Sequence, residues 1–156
     1  DFSNSLARIS GKDFIKSCGF ACVGGAALTT LLQGCSATKI ISGKIGGDDL
    51  IVPLKDFETK AGNETHYKKY IVVQNEILQY PICVYRFNAN EYAALWMQCT
   101  HQGAELQVFG DKLQCPAHGS EFDSKGNLQS GPAEKKLRSF PIIVENNQLK
   151  ISLKAV

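Results

Sequence analysis

Two short segments, CTHQGAEL (Cys99 to Leu106) and CPAHGSEFD (Cys115 to Asp123), constrain this chain more than anything else in it. Each supplies one cysteine and one histidine, as Cys99-x-His101 and Cys115-x-x-His118, with thirteen residues between His101 and Cys115. Thiolates and imidazoles are soft to borderline ligands, so four of them converging from two loops suit zinc or an iron–sulfur centre and not a hard cation. Spacing bears on the choice. Zinc fingers usually pair like ligands within each short motif. One Cys and one His on each loop is the set a 2Fe-2S centre needs when two thiolates hold one iron and two imidazoles the other. A structural zinc site stands as the alternative.

Around these segments the chain reads as β-structure. From Leu50 onward the runs LIVPL, YIVVQ, YPICVYRF, AALWMQ, KLQC, SFPIIVE and LKISLKAV are short and rich in β-branched and aromatic residues. Turn clusters separate them, such as Gly110-Asp111, Ser124 to Asn127 and Glu145 to Asn147. This pattern predicts an all-β antiparallel sandwich or barrel. NANEYAA (Asn88 to Ala94) is expected to form one helical turn. At 156 residues the chain supports one domain, or one domain plus an anchor. Seventeen Lys and Arg against fifteen Asp and Glu leave a net charge of +2, which gives no electrostatic reason for a nucleic-acid partner. A hydrophobic fraction of 44% excludes disorder as the general state.

The two segments resemble the cluster-binding loops of the Rieske 2Fe-2S family. The likeness extends to Thr100, Gly103, Pro116, Gly119 and Ser120, and Gly131-Pro132 resembles the proline loop that covers the cluster from a third side. The resemblance implies one Rieske-type 2Fe-2S cluster, with Cys99 and Cys115 on the inner iron and His101 and His118 on the outer one. The histidines would then lie near the surface, where an electron can leave. Imidazoles in place of two thiolates make the cluster less negative, with potentials of about −150 to +300 mV. Oxidation would also lower the pKa of the ligating imidazoles and couple electron release to proton release.

Departures from the family pattern carry information of their own. Rieske proteins of cytochrome bc complexes have an extra cysteine in each loop, paired as a disulfide; here those positions are Ala104 and Ala117. The same proteins usually have a tyrosine two residues after the loop serine, bonded to a cysteine sulfur, where this chain has Phe122 after Ser120. Ser120 and Phe122 are therefore cluster-tuning positions, and the lost phenol implies a low or intermediate potential for the family. The apolar residue that usually follows the first histidine in quinol-oxidising members is Gln102, which weakens direct quinol oxidation.

At the other end of the chain, 22 uncharged residues (SCGFACVGGAALTTLLQGCSAT) lie between Lys16 and Lys39. A helix of that length spans about 33 Å, enough for a hydrocarbon core of about 30 Å. A membrane anchor and an export signal are both expectations for residues 1–38. Leu32-Gln33-Gly34-Cys35 resembles a bacterial lipobox, making Cys35 a candidate lipidation site, and Ser10 to Lys16 resembles a twin-arginine signal without its arginines. Asp1 is the first residue and Met97 the only methionine, so the sequence is not expected to begin at a translation start. Residues 39–49 read as a Gly-rich linker with some β character, and residues 50–156 as the Rieske domain.

Together these features predict one-electron transfer on the outer side of a bacterial membrane. The chain would be no catalyst alone, and would serve a cytochrome or oxidoreductase subunit, as in a quinol–cytochrome c reductase-like complex. A soluble-type ferredoxin feeding an oxygenase or reductase is the alternative. Cys83 reads as a small buried hydrophobe and His66 as a solvated surface residue. Lys135, Lys136 and Arg138 follow Gly131-Pro132 and could steer an acidic redox partner.

Overall fold

The computed structural model describes residues 40–154. Strands β1 (Ile40–Ser42) and β2 (Lys44–Gly46) precede β3 (Asp49–Pro53), and a 3-10 turn at Leu54–Phe57 leads to the hairpin β4 (Glu58–Ala61) and β5 (Glu64–Tyr67). Next come β6 (Tyr70–Gln74), β7 (Ile82–Arg86) and β8 (Tyr92–Trp96). The loop region carries β9 (Gln107–Phe109), β10 (Lys112–Gln114), β11 (Glu121–Asp123) and β12 (Leu128–Ser130). The chain closes with β13 (Ser139–Phe140), β14 (Ile142–Glu145) and β15 (Gln148–Ser152). They assemble as a five-stranded sheet β1-β6-β7-β8-β13, a four-stranded sheet β14-β15-β3-β2 and a small four-stranded sheet β12-β11-β10-β9. All pairings are antiparallel except β1 with β6.

The period of two along β6 and β7 explains the layering. Ile71, Val73, Ile82 and Val84 share a core with Leu50 and Val52 of β3 and with Leu149 and Ile151 of β15. The alternate residues Val72, Cys83 and Tyr85 share the other core with Leu106, Leu113, Phe122 and Leu137. The five-stranded sheet is thus covered on both faces, by the second large sheet and by the loop region. That is why Ile82 to Tyr85 form an unbroken buried run and not an alternating one. Each such Val, Leu or Ile contributes about 1.5–3 kcal/mol by burial, so both layers are held to the central sheet by several side chains apiece.

One expectation is filled in and one is corrected. The stretch read as a Gly-rich linker with some β character contains paired strands: Ile40 to Ser42 lie in register with Val72 to Gln74, and Lys44 to Gly46 with Ile51 to Asp49. Ile41 and Ile45 pack on the core shared by the two large sheets, an apolar gain that the surrounding glycines hide. The helical turn expected at Asn88 to Ala94 is absent. Asn88 Oδ1 accepts the amide of Asn90, its Nδ2 donates to Glu91, and the Phe87 amide donates to the Glu91 carbonyl, making a side-chain-closed turn between β7 and β8. Residues 1–38, with the uncharged stretch and Cys35, lie outside the described residues. Among the described residues no helix is long and apolar enough to cross a membrane.

Candidate metal centre

The two Cys/His segments fold into matching loops on either side of the hairpin β9–β10. In the first, the Gly103 amide donates to the Cys99 carbonyl at 2.9 Å and the Cys99 amide to the Ala104 carbonyl at 2.8 Å. In the second, the Gly119 amide donates to Cys115 at 2.9 Å and the Cys115 amide to Ser120 at 2.8 Å. Gly103 and Gly119, each four residues past its cysteine, sit in the left-handed region at φ 75° and 76°. The frames are the same and differ only in where the histidine stands, two residues after Cys99 and three after Cys115.

In both loops the side chains are sorted by depth. Cys99 and Cys115 are each 2% exposed, free of disulfides and within hydrogen-bonding reach of one another. His101 is half-buried and His118 exposed, with ring centroids 5.0 Å apart and planes at 86°. The donors therefore form an inner sulfur pair and an outer imidazole pair. No three His, Cys, Asp or Glu side chains among the described residues stand close enough to share a single ion.

Backbone and hydroxyl groups are directed at the sulfurs. Burial pushes the Cys99 thiol up, and the His101 amide and Ser120 hydroxyl offset this only in part. Burial acts the same way on Cys115, but the His118 and Ala117 amides and the Cys99 thiol outweigh it and hold that thiol below the ordinary cysteine range. Ser120, fully buried, accepts the Ala133 amide at its Oγ, 3.1 Å away, leaving its own proton for Cys99. Phe122 is fully buried behind the loops.

A third segment closes over both loops. Gly131 sits at φ 98° so near the second loop that a Cβ there would lie 2.4 Å from Ser120 Cα and 2.8 Å from its amide nitrogen. Four residues on, the Lys135 carbonyl accepts the Thr100 hydroxyl at 2.7 Å, tying the same segment to the first loop. Pro132, between these contacts, lines a surface cavity of about 330 Å³ with Thr100, His101, Glu134 and Lys135.

Comparison with known proteins places the chain in a family. The Rieske [2Fe-2S] domain family matches residues 57–141, over half of the chain. The chain belongs to the Rieske [2Fe-2S] family. A Rieske domain binds a 2Fe-2S cluster and transfers electrons through it.

Among the Rieske relatives, the cytochrome b6-f complex iron-sulfur subunit 2 of Nostoc sp. is 34% identical over 56 residues, covering 35% of this chain and 32% of its own length. The oxygenase component of dicamba O-demethylase from Stenotrophomonas maltophilia is 36% identical over 77 residues, covering 43% of this chain and 23% of its own. The chain thus spans a third or less of the length of these curated relatives. The cyanobacterial plasma membrane Rieske protein PetC3 from Synechocystis superposes with a TM-score of 0.47 at 26% identity, over 54% of this chain and 86% of that one.

The residues present fit the group. A two-iron cluster asks for two pairs of donors, as found, and the buried Nδ1 of His101 has no hydrogen-bond partner in the protein. In a Rieske domain, such a nitrogen is free to meet iron. The remaining described cysteine and histidine stand apart from the loops. Cys83 is fully buried, its thiol pushed up to about 12 by burial. His66, on the exposed hairpin, lies 3.6 Å from Glu64. Sequence reasoning missed Tyr80, whose hydroxyl donates to the Gly103 carbonyl at 2.6 Å from 23 residues away.

Proposed function

We propose that this Rieske domain relays single electrons on the outer side of a bacterial membrane, as a subunit or partner of a respiratory or other redox complex. Cys99 and Cys115 hold the inner iron, His101 and His118 the outer one. The cluster, when bound, supplies one reversible one-electron step. The chain's residues do the rest: the buried sulfurs exclude water, the amides and Ser120 favour the more negative reduced charge, and the imidazoles present the site to a partner.

The observation that carries this reading is the sorting by depth, with both thiols buried and both imidazoles toward solvent. Membrane attachment through residues 1–38 is supported by their uncharged 22-residue stretch and by the likeness to a cytochrome b6-f subunit. A redox partner with an acidic face is supported by Lys135 at the cavity beside His101 and by Lys136 next to it. Fractionation of cells making the natural protein tests the location: the account expects the cluster in carbonate-washed membranes, with mass spectrometry reporting whether Cys35 carries lipid.

The likeness to an oxygenase component, together with Gln102 at the position after the first histidine, favours a second reading, a ferredoxin-type donor to an oxygenase or reductase. Recovery of all cluster signal in the soluble fraction would select it.

A further inference from the structure

The two cluster loops share one backbone frame but are not braced alike. Ser120 and Ala104 occupy the same place in that frame: each follows the left-handed glycine, and each carbonyl accepts the amide of its loop's cysteine. In the second loop Ser120 adds a buried hydroxyl that accepts the Ala133 amide. Ala104 has nothing comparable. What the first loop has, besides the Thr100 bond to Lys135 at its solvent side, is the Tyr80 hydroxyl, donating at 2.6 Å to the carbonyl of Gly103, one residue earlier.

The phenol is itself held. Trp96 meets the Tyr80 ring edge-on, centroids 5.8 Å apart, and its indole N–H donates to Gln98 Oε1 at 3.0 Å. Gln98 is the residue before Cys99 and bridges to Glu105 at the far end of the same loop. Tyr80, Trp96 and Gln98 thus form a backing to the first loop that belongs to the five-stranded sheet and its approach segment, not to the loops. The Gly103 carbonyl belongs to the peptide that joins Gly103 to Ala104, whose own carbonyl accepts the Cys99 amide, so holding it steadies the closure of the turn that carries His101. A short hydrogen bond from a half-buried phenol to a loop carbonyl costs little entropy to maintain, since the ring has two rotatable bonds and both are packed.

We propose that Tyr80 is the positioning residue of the first cluster loop, its hydroxyl holding the Gly103 peptide so that Cys99 and His101 keep one geometry toward the cluster. This rests on the ligand assignment above. Tyr80→Phe removes the hydroxyl and leaves the ring, and Tyr92→Phe, which removes an equivalent bond to the Ala89 carbonyl in an exposed turn, is the control. Holoproteins are challenged with an iron chelator while the visible absorption is followed, and their reduced-state electron paramagnetic resonance (EPR) spectra are recorded.

Cluster loss from Tyr80→Phe is expected to be about five- to tenfold faster than from wild type, as for loss of one ordered hydrogen bond. Its EPR lines should broaden as the loop samples several geometries, with Tyr92→Phe matching wild type in both readouts. Wild-type loss rate and line shape in Tyr80→Phe overturn the proposal. Equal acceleration in both variants also overturns it, as does a Tyr80→Phe chain without the β-sheet circular dichroism signal, which marks a general folding role. Failure of the ligand assignment would show separately, as a wild-type protein whose spectrum lacks imidazole nitrogen couplings.

Discussion

At Ser120 one buried hydroxyl serves two neighbours, accepting the Ala133 amide and donating toward the Cys99 sulfur. Ser120→Ala leaves that amide unsatisfied, so unfolding should show a loss of about 1–2 kcal/mol. The reduction potential should fall as well, because a donor that favours the more negative reduced cluster is gone. Gly131 is the steric counterpart. Its backbone angle and the 2.4 Å approach to Ser120 leave no room for a methyl group, and Gly131→Ala should cost about 2–4 kcal/mol in urea unfolding of the holoprotein. Cys83 marks the contrast between a sulfur in the core and a sulfur at the site. With its thiol at about 12 and no exposure, it should resist alkylation at neutral pH in the folded protein and react once denaturant is added.

Among the elements, the turn from β11 to β12 depends on Asp123. Its Oδ1 accepts the amides of Lys125 and Asn127, and its Oδ2 the side chain of Asn127. Partial burial pushes this carboxyl up, but the Asn127, Lys125 and Gly126 groups outweigh it and hold it below the ordinary carboxylate range. A carboxyl depressed in the folded state stabilises fully above its unfolded value of about pH 4 and progressively less as pH falls through the folded value. Asp123→Ala should therefore cost about 1–2 kcal/mol at neutral pH, and the gap from wild type in thermal unfolding should narrow on acidification below about pH 4.

Elements with an apolar pattern were legible in the sequence: β3, β6, β7, β8 and β15 fall on the runs LIVPL, YIVVQ, YPICVYRF, AALWMQ and LKISL. The hairpin β4–β5 was not, because all its residues are exposed and no buried face imprints a period of two. The cluster loops were legible because their ligand spacing is local. Tyr80 and the Thr100 bond to Lys135 were not, since partners 23 and 35 residues away leave no short-range signal.

Across the whole described unit, two cores lie on opposite faces of one sheet. The core of Leu50, Val73, Ile82 and Ile151 includes none of the four proposed ligands, whereas Cys99 and Cys115 belong to the other. Removal of iron should therefore loosen the unit unevenly. Hydrogen exchange of the chelated protein should show lost protection over residues 97–137, while β3, β6, β7 and β15 stay protected. Uniform loss would mean that the two-sheet core depends on the metal.

The central claim is that two buried thiolates and two outward imidazoles hold one 2Fe-2S cluster. The most direct measurement is pulsed EPR of the reduced holoprotein labelled with nitrogen-15 at histidine. The account predicts a reduced 2Fe-2S signal with couplings from two imidazole nitrogens, both lost when His101 and His118 are replaced and unchanged by replacement of His66. A colourless protein holding zinc, or an iron–sulfur signal without imidazole coupling, would contradict it.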